Sequence, residues 1–470
     1  MMKTTPGGLE SGRRWICRRL GLCVALALLV PAVARAAGTL NWDTNNNVVS
    51  ADLKAENLLD LLGRVAATTQ WHIYVEPETI KPISAKFRDL PPGEALRLLL
   101  GNANYALVPE TNSSSKLYVF RTSRQNATQL VQPAAKSGEG KSKIIPNELI
   151  VRLKPGAKID DLAKLLGAKV IGRMDDLNAY RLQFDDEAAA EAARAQLLIN
   201  ADVASVDSNY SIDRPSMAGQ VLPSKAPDPQ LEIDPPPDTC QVVVGFVDTD
   251  LQTIGNNLDK LVVKKYSVAG VSQEDPNVPS HATSMLETFS SSLQAATHGK
   301  TTARVLAADV YGSGTTTTSF EVANGIAQVV NGGARVVNLS LGSSDDSPFL
   351  HSVIQSAAAK NILFIGAAGN TPVTTPFYPA AYSEVNAVTA VDQGQLASYA
   401  NRGSFVSLGA PGTSVVNFNN QSWSVSGTSA SAAYTSGKAA AYLQDNPCST
   451  PADTQSYLRS SFGIKITSNP

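Results

Sequence analysis

From Cys240 to the C-terminus the chain repeats one pattern: a short apolar run, then a longer segment with helical periodicity. The runs are "QVVVGFVD", "RVLAADV", "RVVNLSL", "ILFIGAAGN" and "NAVTAV". They do not alternate polar with apolar residues, so both faces of each must be covered, as in a buried parallel strand. Segments such as "SFEVANGIAQVVNGG" and "PFLHSVIQSAAAKN" lie between them and read as crossover helices. The pattern predicts an α/β domain over residues 238–466 with a doubly wound, mostly parallel sheet. In such a sheet chemistry gathers at the carboxyl ends of the strands.

Two small α+β units precede it, within a length of 470 residues that suits roughly three domains. Over residues 146–213, "ELIVRLK" and "YRLQF" alternate as half-buried strands, "KIDDLAKLLG" is a short helix, and "DDEAAAEAARAQLLI" is a helix with acid at its N-terminus, where the dipole favours it. "VASVDSNY" closes the unit as a strand. The strand–helix–strand–strand–helix–strand order predicts a ferredoxin-like sandwich. Over residues 37–122, "KAENLLDLLGRVAATT" places Leu58, Leu61, Leu62 and Val65 on one helical face. "WHIYVE" and "ISAKF" follow as strands. "DLPPGEALRLLLGNANYALVP" reads as a helix capped by Asp89 and ending at Gly101, and "KLYVFR" as a last strand. This order and the "DLPPGEALRLLL" phrase resemble the secretin and TonB short N-terminal domain of bacterial envelope proteins. That resemblance implies an envelope protein as partner. Residues 123–145 are polar and aperiodic and read as a linker. Residues 214–237 contain seven prolines and read as an extended, exposed tether without helix or sheet.

The first 36 residues read as a signal peptide: Arg13, Arg14, Arg18 and Arg19, an apolar core over residues 20–34, and small residues ending at Ala36. No later segment is apolar enough to span a bilayer, so the sequence predicts an exported protein, periplasmic or secreted, with no stable membrane span after the signal is removed. Two cysteines remain after cleavage, Cys240 and Cys448. An oxidising compartment favours a disulfide between them, with two separate buried thiols as the alternative. The net charge of −2 gives no general attraction to nucleic acid.

Four residues stand at strand ends or helix starts of the last domain. Asp248 ends "VVVGFVD", His281 opens "HATSMLETF", Asn370 ends "ILFIGAAGN", and Ser429 opens the small-residue helix of "SGTSASAAYTSG". Alone, each has a plainer reading: a strand-end cap, a helix-start residue, a turn, a close helix contact. Their order and the phrases "VDTD", "SHATSM", "NLSLG", "AAGN" and "SGTSASAAYTSG" together resemble the subtilase family of serine peptidases, over about residues 240–445. The resemblance implies an Asp248–His281–Ser429 triad and a serine endopeptidase acting on peptide and protein substrates. Asn370 and the Ser429 N–H would form the oxyanion hole. Ser340, Leu341, Gly342, Ala367, Ala368 and Gly369 would line the substrate pocket. The middle unit would be an inhibitory propeptide, self-cleaved roughly within residues 211–237. No cofactor is required by the sequence and no ligand-spaced carboxylate cluster is evident; calcium enters only as an ion that many subtilases bind. His298 and His351 are set aside, the first for lack of chain before the next strand, the second as a helix-surface residue. Three positions depart from the family's pattern: Ala282 and Asp250 where Gly is usual, and Ala433 where Pro is usual. They motivate an alternative reading, a catalytically weak or inactive envelope scaffold working through the N-terminal unit. An esterase or transpeptidase using the same triad is a third.

Overall fold

The computed structural model describes residues 39–43, 48–69, 71–76, 82–101, 103–108, 115–131, 143–215 and 219–464. The signal peptide falls outside them. The chain forms two compact units, residues 1–140 and 141–470.

The first unit holds the helices Leu58–Thr69 and Pro92–Leu100 against a three-stranded and a four-stranded sheet. Leu58, Leu61, Leu62 and Val65 are all buried, as their spacing requires. Two expectations change. Asp89 is not a helix cap. Pro91 holds the cap position without a side-chain bond, while Asp89 takes φ 50° and accepts a hydrogen bond from Ser50 Oγ at 3.0 Å. Prolines at the start need little capping, because the first helical N–H groups have no partner to lose. Nor is the linker wholly irregular: Gln129–Val131 is a strand paired antiparallel with His72–Val75.

In the second unit, residues 144–213 build the expected sandwich. Its strands are Ile144–Leu153, Lys169–Met174, Ala179–Gln183 and Val203–Asp213, with the first in contact with the last and the third, and the second at the edge. Asp186 caps the helix Glu187–Leu198 by accepting from Ala189 N at 2.8 Å. This small sheet packs on the start of the helix Ser319–Asn331. The contact joins an apolar cluster, Ile150, Met174 and Ala179 with Phe320, to polar bonds: Arg181 bridges the buried Glu148 and the half-buried Glu321, and Asn209 accepts from Ser319 Oγ and Phe320 N.

The large sheet has eight strands. Across it run Val262–Ser267, Arg304–Asp309, Val243–Asp248, Val336–Leu339, Leu363–Ala367 and Val385–Asp392, all parallel. Leu408–Pro411 extends it in parallel and the short Gln395–Leu396 pairs antiparallel. Val243–Asp248 is the first of these strands in the chain yet sits inside the sheet, so the winding reverses beside it. That is the switch point where an α/β sheet opens a crevice. One face is covered by the helices His281–Thr297 and Thr428–Asp445, the other by Ser319–Asn331 and Pro348–Ala358. The first pair sit close because of the small residues after Ser429: a Cβ on Gly437 would lie 2.6 Å from Phe289 O, and Ser292 Oγ donates to Tyr434 O at 2.7 Å. Cys240 and Cys448 form a disulfide with Cα atoms 5.1 Å apart, closing a separation of 208 residues.

The proline-rich stretch is docked rather than free. Gly219–Val221 pairs antiparallel with Gln421–Ser426, and Glu232–Ile233 pairs in parallel with Lys300–Thr301. Both short strands fall between prolines, where the missing N–H groups break no ladder. Leu231 is fully buried beneath them.

Candidate active site

Asp248 is the last residue of its strand and 1% exposed. It points at the start of the helix His281–Thr297. Three contacts fix that approach. Ser280 caps the helix and donates Oγ to Asp250 O at 2.7 Å, Thr249 Oγ1 accepts from Ala282 N at 3.0 Å, and Thr283 Oγ1 accepts from Gln252 N at 3.0 Å. His281 Nδ1 then lies 2.8 and 2.9 Å from the two Asp248 oxygens. A carboxylate accepts only, so the Nδ1 position carries the proton and Nε2 keeps its lone pair. Asp248 Oδ1 also accepts from Thr249 N at 2.7 Å.

Ser429 is the second residue of the helix Thr428–Asp445 and 9% exposed. Gly427 precedes this helix at φ 153°, a conformation side chains rarely adopt, and a Cβ there would meet Asn370 Nδ2 at 3.1 Å. Ser429 Oγ donates to Ser340 O at 3.3 Å, and Ser340 Oγ returns a bond to Ser429 O at 3.1 Å. Among the described residues the Ser429 hydroxyl has no hydrogen bond to His281. Its one partner, the Ser340 carbonyl, is an acceptor, and rotation about a single bond separates this position from others.

Asn370 is exposed in a bend, three residues past the end of the strand Leu363–Ala367. Its Oδ1 accepts from Thr428 N at 2.8 Å and Thr428 Oγ1 at 3.0 Å. These donors identify the oxygen and place Nδ2 beside Gly427. The Ser429 N–H, in the first turn of its helix, has no intrahelical partner. Thr428 and Asn401 escaped the sequence reading. Thr428 Oγ1 also accepts from Gly369 N at 3.0 Å, and Asn401 holds Ala368 O and Thr371 N. Nothing in "GTSAS" separates this hydroxyl from its neighbours except the step immediately before Ser429.

The expected pocket residues are mixed. Ser340 joins the site through its two bonds to Ser429. Leu341, Ala367 and Ala368 turn their side chains into the core, since each is 4% exposed or less, so only their backbones are available to a cleft. Gly369 and Gly342 are constrained by close neighbours: a Cβ would run into Asn401 at the first and lie 2.5 Å from Phe377 and Tyr378 O at the second. Ala282 and Ala433, the departures from the family's pattern, are buried in the apolar cluster beneath the site. His298 ends the His281 helix in a left-handed turn; His351 stacks on Tyr382 and bonds Glu384 at 3.0 Å.

One more acid sits on the His281 helix. Glu287 is 1% exposed, accepts from Asn417 N at 3.4 Å, and its Oε1 has no partner. Burial pushes its carboxyl up to about 7. Among the described residues no group of three or more His, Cys, Asp or Glu is placed to hold a metal ion, so nothing is assigned to calcium.

Comparison with known proteins fits this geometry. Residues 200–468 match the subtilase family, and residues 131–209 match the fervidolysin N-terminal prodomain. A thermophilic serine proteinase of Bacillus sp. (strain AK1) is 32% identical over 206 residues, 42% of this chain and 51% of that protein. The chain thus spans about half the length of that relative. Two solved structures share the fold: fervidolysin from Fervidobacterium pennivorans, described as a keratinolytic enzyme related to subtilisin, with 18% identity, TM-score 0.50, and coverage of 67% of this chain and 56% of that one; and the epidermin leader peptide processing serine protease of Staphylococcus aureus, with 15% identity, TM-score 0.50, and coverage of 70% and 96%. The family match covers more than half of the 470 residues, and the chain belongs to the subtilase family.

Proposed function

We propose that the protein is a serine endopeptidase, made as a zymogen, that cleaves peptide bonds through Ser429, His281 and Asp248. The buried Asp248–His281 pair, at the same sheet end as a serine on a helix start, carries this reading. In it, Ser429 Oγ attacks the substrate carbonyl while His281 Nε2 takes its proton and later returns it to the leaving amine. Asp248 holds the imidazole in the needed tautomer and stabilises the imidazolium. The oxyanion is met by the Ser429 N–H and by Asn370 Nδ2, which Thr428 orients. The Ser429 hydroxyl leaves Ser340 O to do this by rotation of its side chain, in a site that the prosegment's tail adjoins. Peptide-library cleavage read by mass spectrometry tests the proposal: wild type cuts and Ser429→Ala does not. Equal cleavage by both would remove Ser429 from the reaction.

The bond from Ser429 to Ser340 O, rather than to His281, favours one second reading: a catalytically silent scaffold. In either case we place the protein outside the cytoplasm, with residues 37–122 as an envelope-binding module. Among the described residues no helix is long and apolar enough to cross a membrane.

A further inference from the structure

The last prosegment strand runs on into the α/β part. Ser211, Ile212 and Asp213 pair antiparallel with Thr318, Thr317 and Thr316. Arg214 continues the ladder by donating its N–H to Thr315 O at 2.8 Å. Ile212 is buried among Val310, Tyr311 and Phe320. An extended segment added to a strand edge is how a peptide is held for cutting.

The Arg214 side chain fills a set of groups suited to a guanidinium. Nη1 donates to Gly312 O and Gly314 O, both at 3.0 Å, and Nη2 meets the Glu274 carboxylate. The guanidinium lies over the Tyr311 ring, 5.7 Å from its centre, and Tyr311 Oη donates to Asp213 O at 3.0 Å. Two carbonyls, one carboxylate and one ring face match the planar fork of arginine, which lysine cannot copy. Both members of the ion pair are mostly shielded from water. Immediately after Arg214, Pro215 lines a cavity of about 380 Å³ shared with Glu274, Asp275, Ser280 and His281. At Pro215 the tail therefore shares one cavity with the imidazole. Burial holds the nearby Asp309 carboxyl above its usual range, with Asp250 adding to the rise and Arg214 opposing it.

If the tail withdraws, the two carbonyls lose the guanidinium, and Glu274 loses its cation and keeps, among the described residues, only the long bond from Ser272 Oγ at 3.3 Å. We infer that this pocket is a substrate subsite selecting arginine on the N-terminal side of the cleaved bond, with Glu274 as its specificity-determining residue. The inference deepens the peptidase reading and rests on it.

The test uses the purified full chain, incubated to allow self-processing, and a peptide panel. Arginine, citrulline, lysine and glutamate are placed in turn at each position upstream of the cut. We expect arginine to exceed citrulline in kcat/KM by about 10- to 100-fold at one position. Glu274→Gln should shrink that ratio to a few-fold, and Glu274→Arg should shift preference toward glutamate. Cleavage without an arginine preference, or with one that Glu274→Gln does not change, overturns the subsite and leaves the peptidase standing. Failure to cut any peptide overturns the peptidase reading and the subsite with it. Should the variants fail to fold, the wild-type arginine-to-citrulline ratio still decides.

Discussion

Asp248 and Glu287 are equally buried carboxyls that meet the same helix, and their surroundings differ in every other respect. Asp248 meets the first residue of the helix, with one N–H and one imidazole on its oxygens. Glu287 lies further along the helix, with one long hydrogen bond and an orphan oxygen. A buried charge costs several kcal/mol unless it is paired. Paired, it can be used. Without a countercharge, the Glu287 carboxyl is pushed up to about 7, and the fold holds it best where it is protonated. The comparison separates a carboxylate that the fold is built around from one that the fold merely accommodates.

Breaking the first pair should have the largest effect. Asp248→Asn is expected to lower kcat by about 10⁴-fold, the scale established for serine-peptidase triads, with circular dichroism unchanged. Glu287→Gln, one to two turns away, should leave kcat within about twofold. A third buried carboxylate, Glu148, extends the contrast, because Arg181 holds it with two bonds. Arg181→Ala should cost about 3–5 kcal/mol, read as earlier release of the prosegment in urea. Asn370→Ala should cost about 2.7–4 kcal/mol of barrier stabilisation, seen in kcat rather than KM. The smallest effect belongs to Glu287 and has a sign. Its folded carboxyl is raised from 4.5 to about 7, so the stability of the neutral form is full below about pH 4.5 and is lost as pH rises to about 7. Glu287→Gln should therefore raise stability at pH 8 by about 1–3 kcal/mol and flatten that slope in thermal melts.

The parallel strands were legible because both their faces are buried, which leaves an apolar run that no loop would carry. Three of the candidates fall where the pattern marks an element end, Asp248 at its strand's last residue and His281 and Ser429 in their helices' first turns, while Asn370 lies three residues beyond its strand. What escaped was contact without pattern. Thr316–Thr318, a polar run to which the sequence assigns no element, forms a strand against Ser211–Asp213. The prolines at 215 to 237 read as excluding sheet altogether, yet a three-residue strand fits between Pro215 and Pro223 and a two-residue strand between Pro229 and Pro235. Asp89 has the right residue type for a cap, but Ser50 from another strand offers it a better partner. At Leu341, Ala367 and Ala368, proposed as pocket walls, the side chains are buried, and sequence locates such a wall's backbone without saying which side its side chains take.

The central claim is that Ser429 becomes a nucleophile through His281. A fluorophosphonate probe tests it directly, with the modified residue mapped by mass spectrometry in wild type and in folded His281→Ala. The account predicts one adduct, on Ser429, in wild type and its loss in the variant. No adduct on folded, processed wild type, or equal labelling without the imidazole, would contradict it.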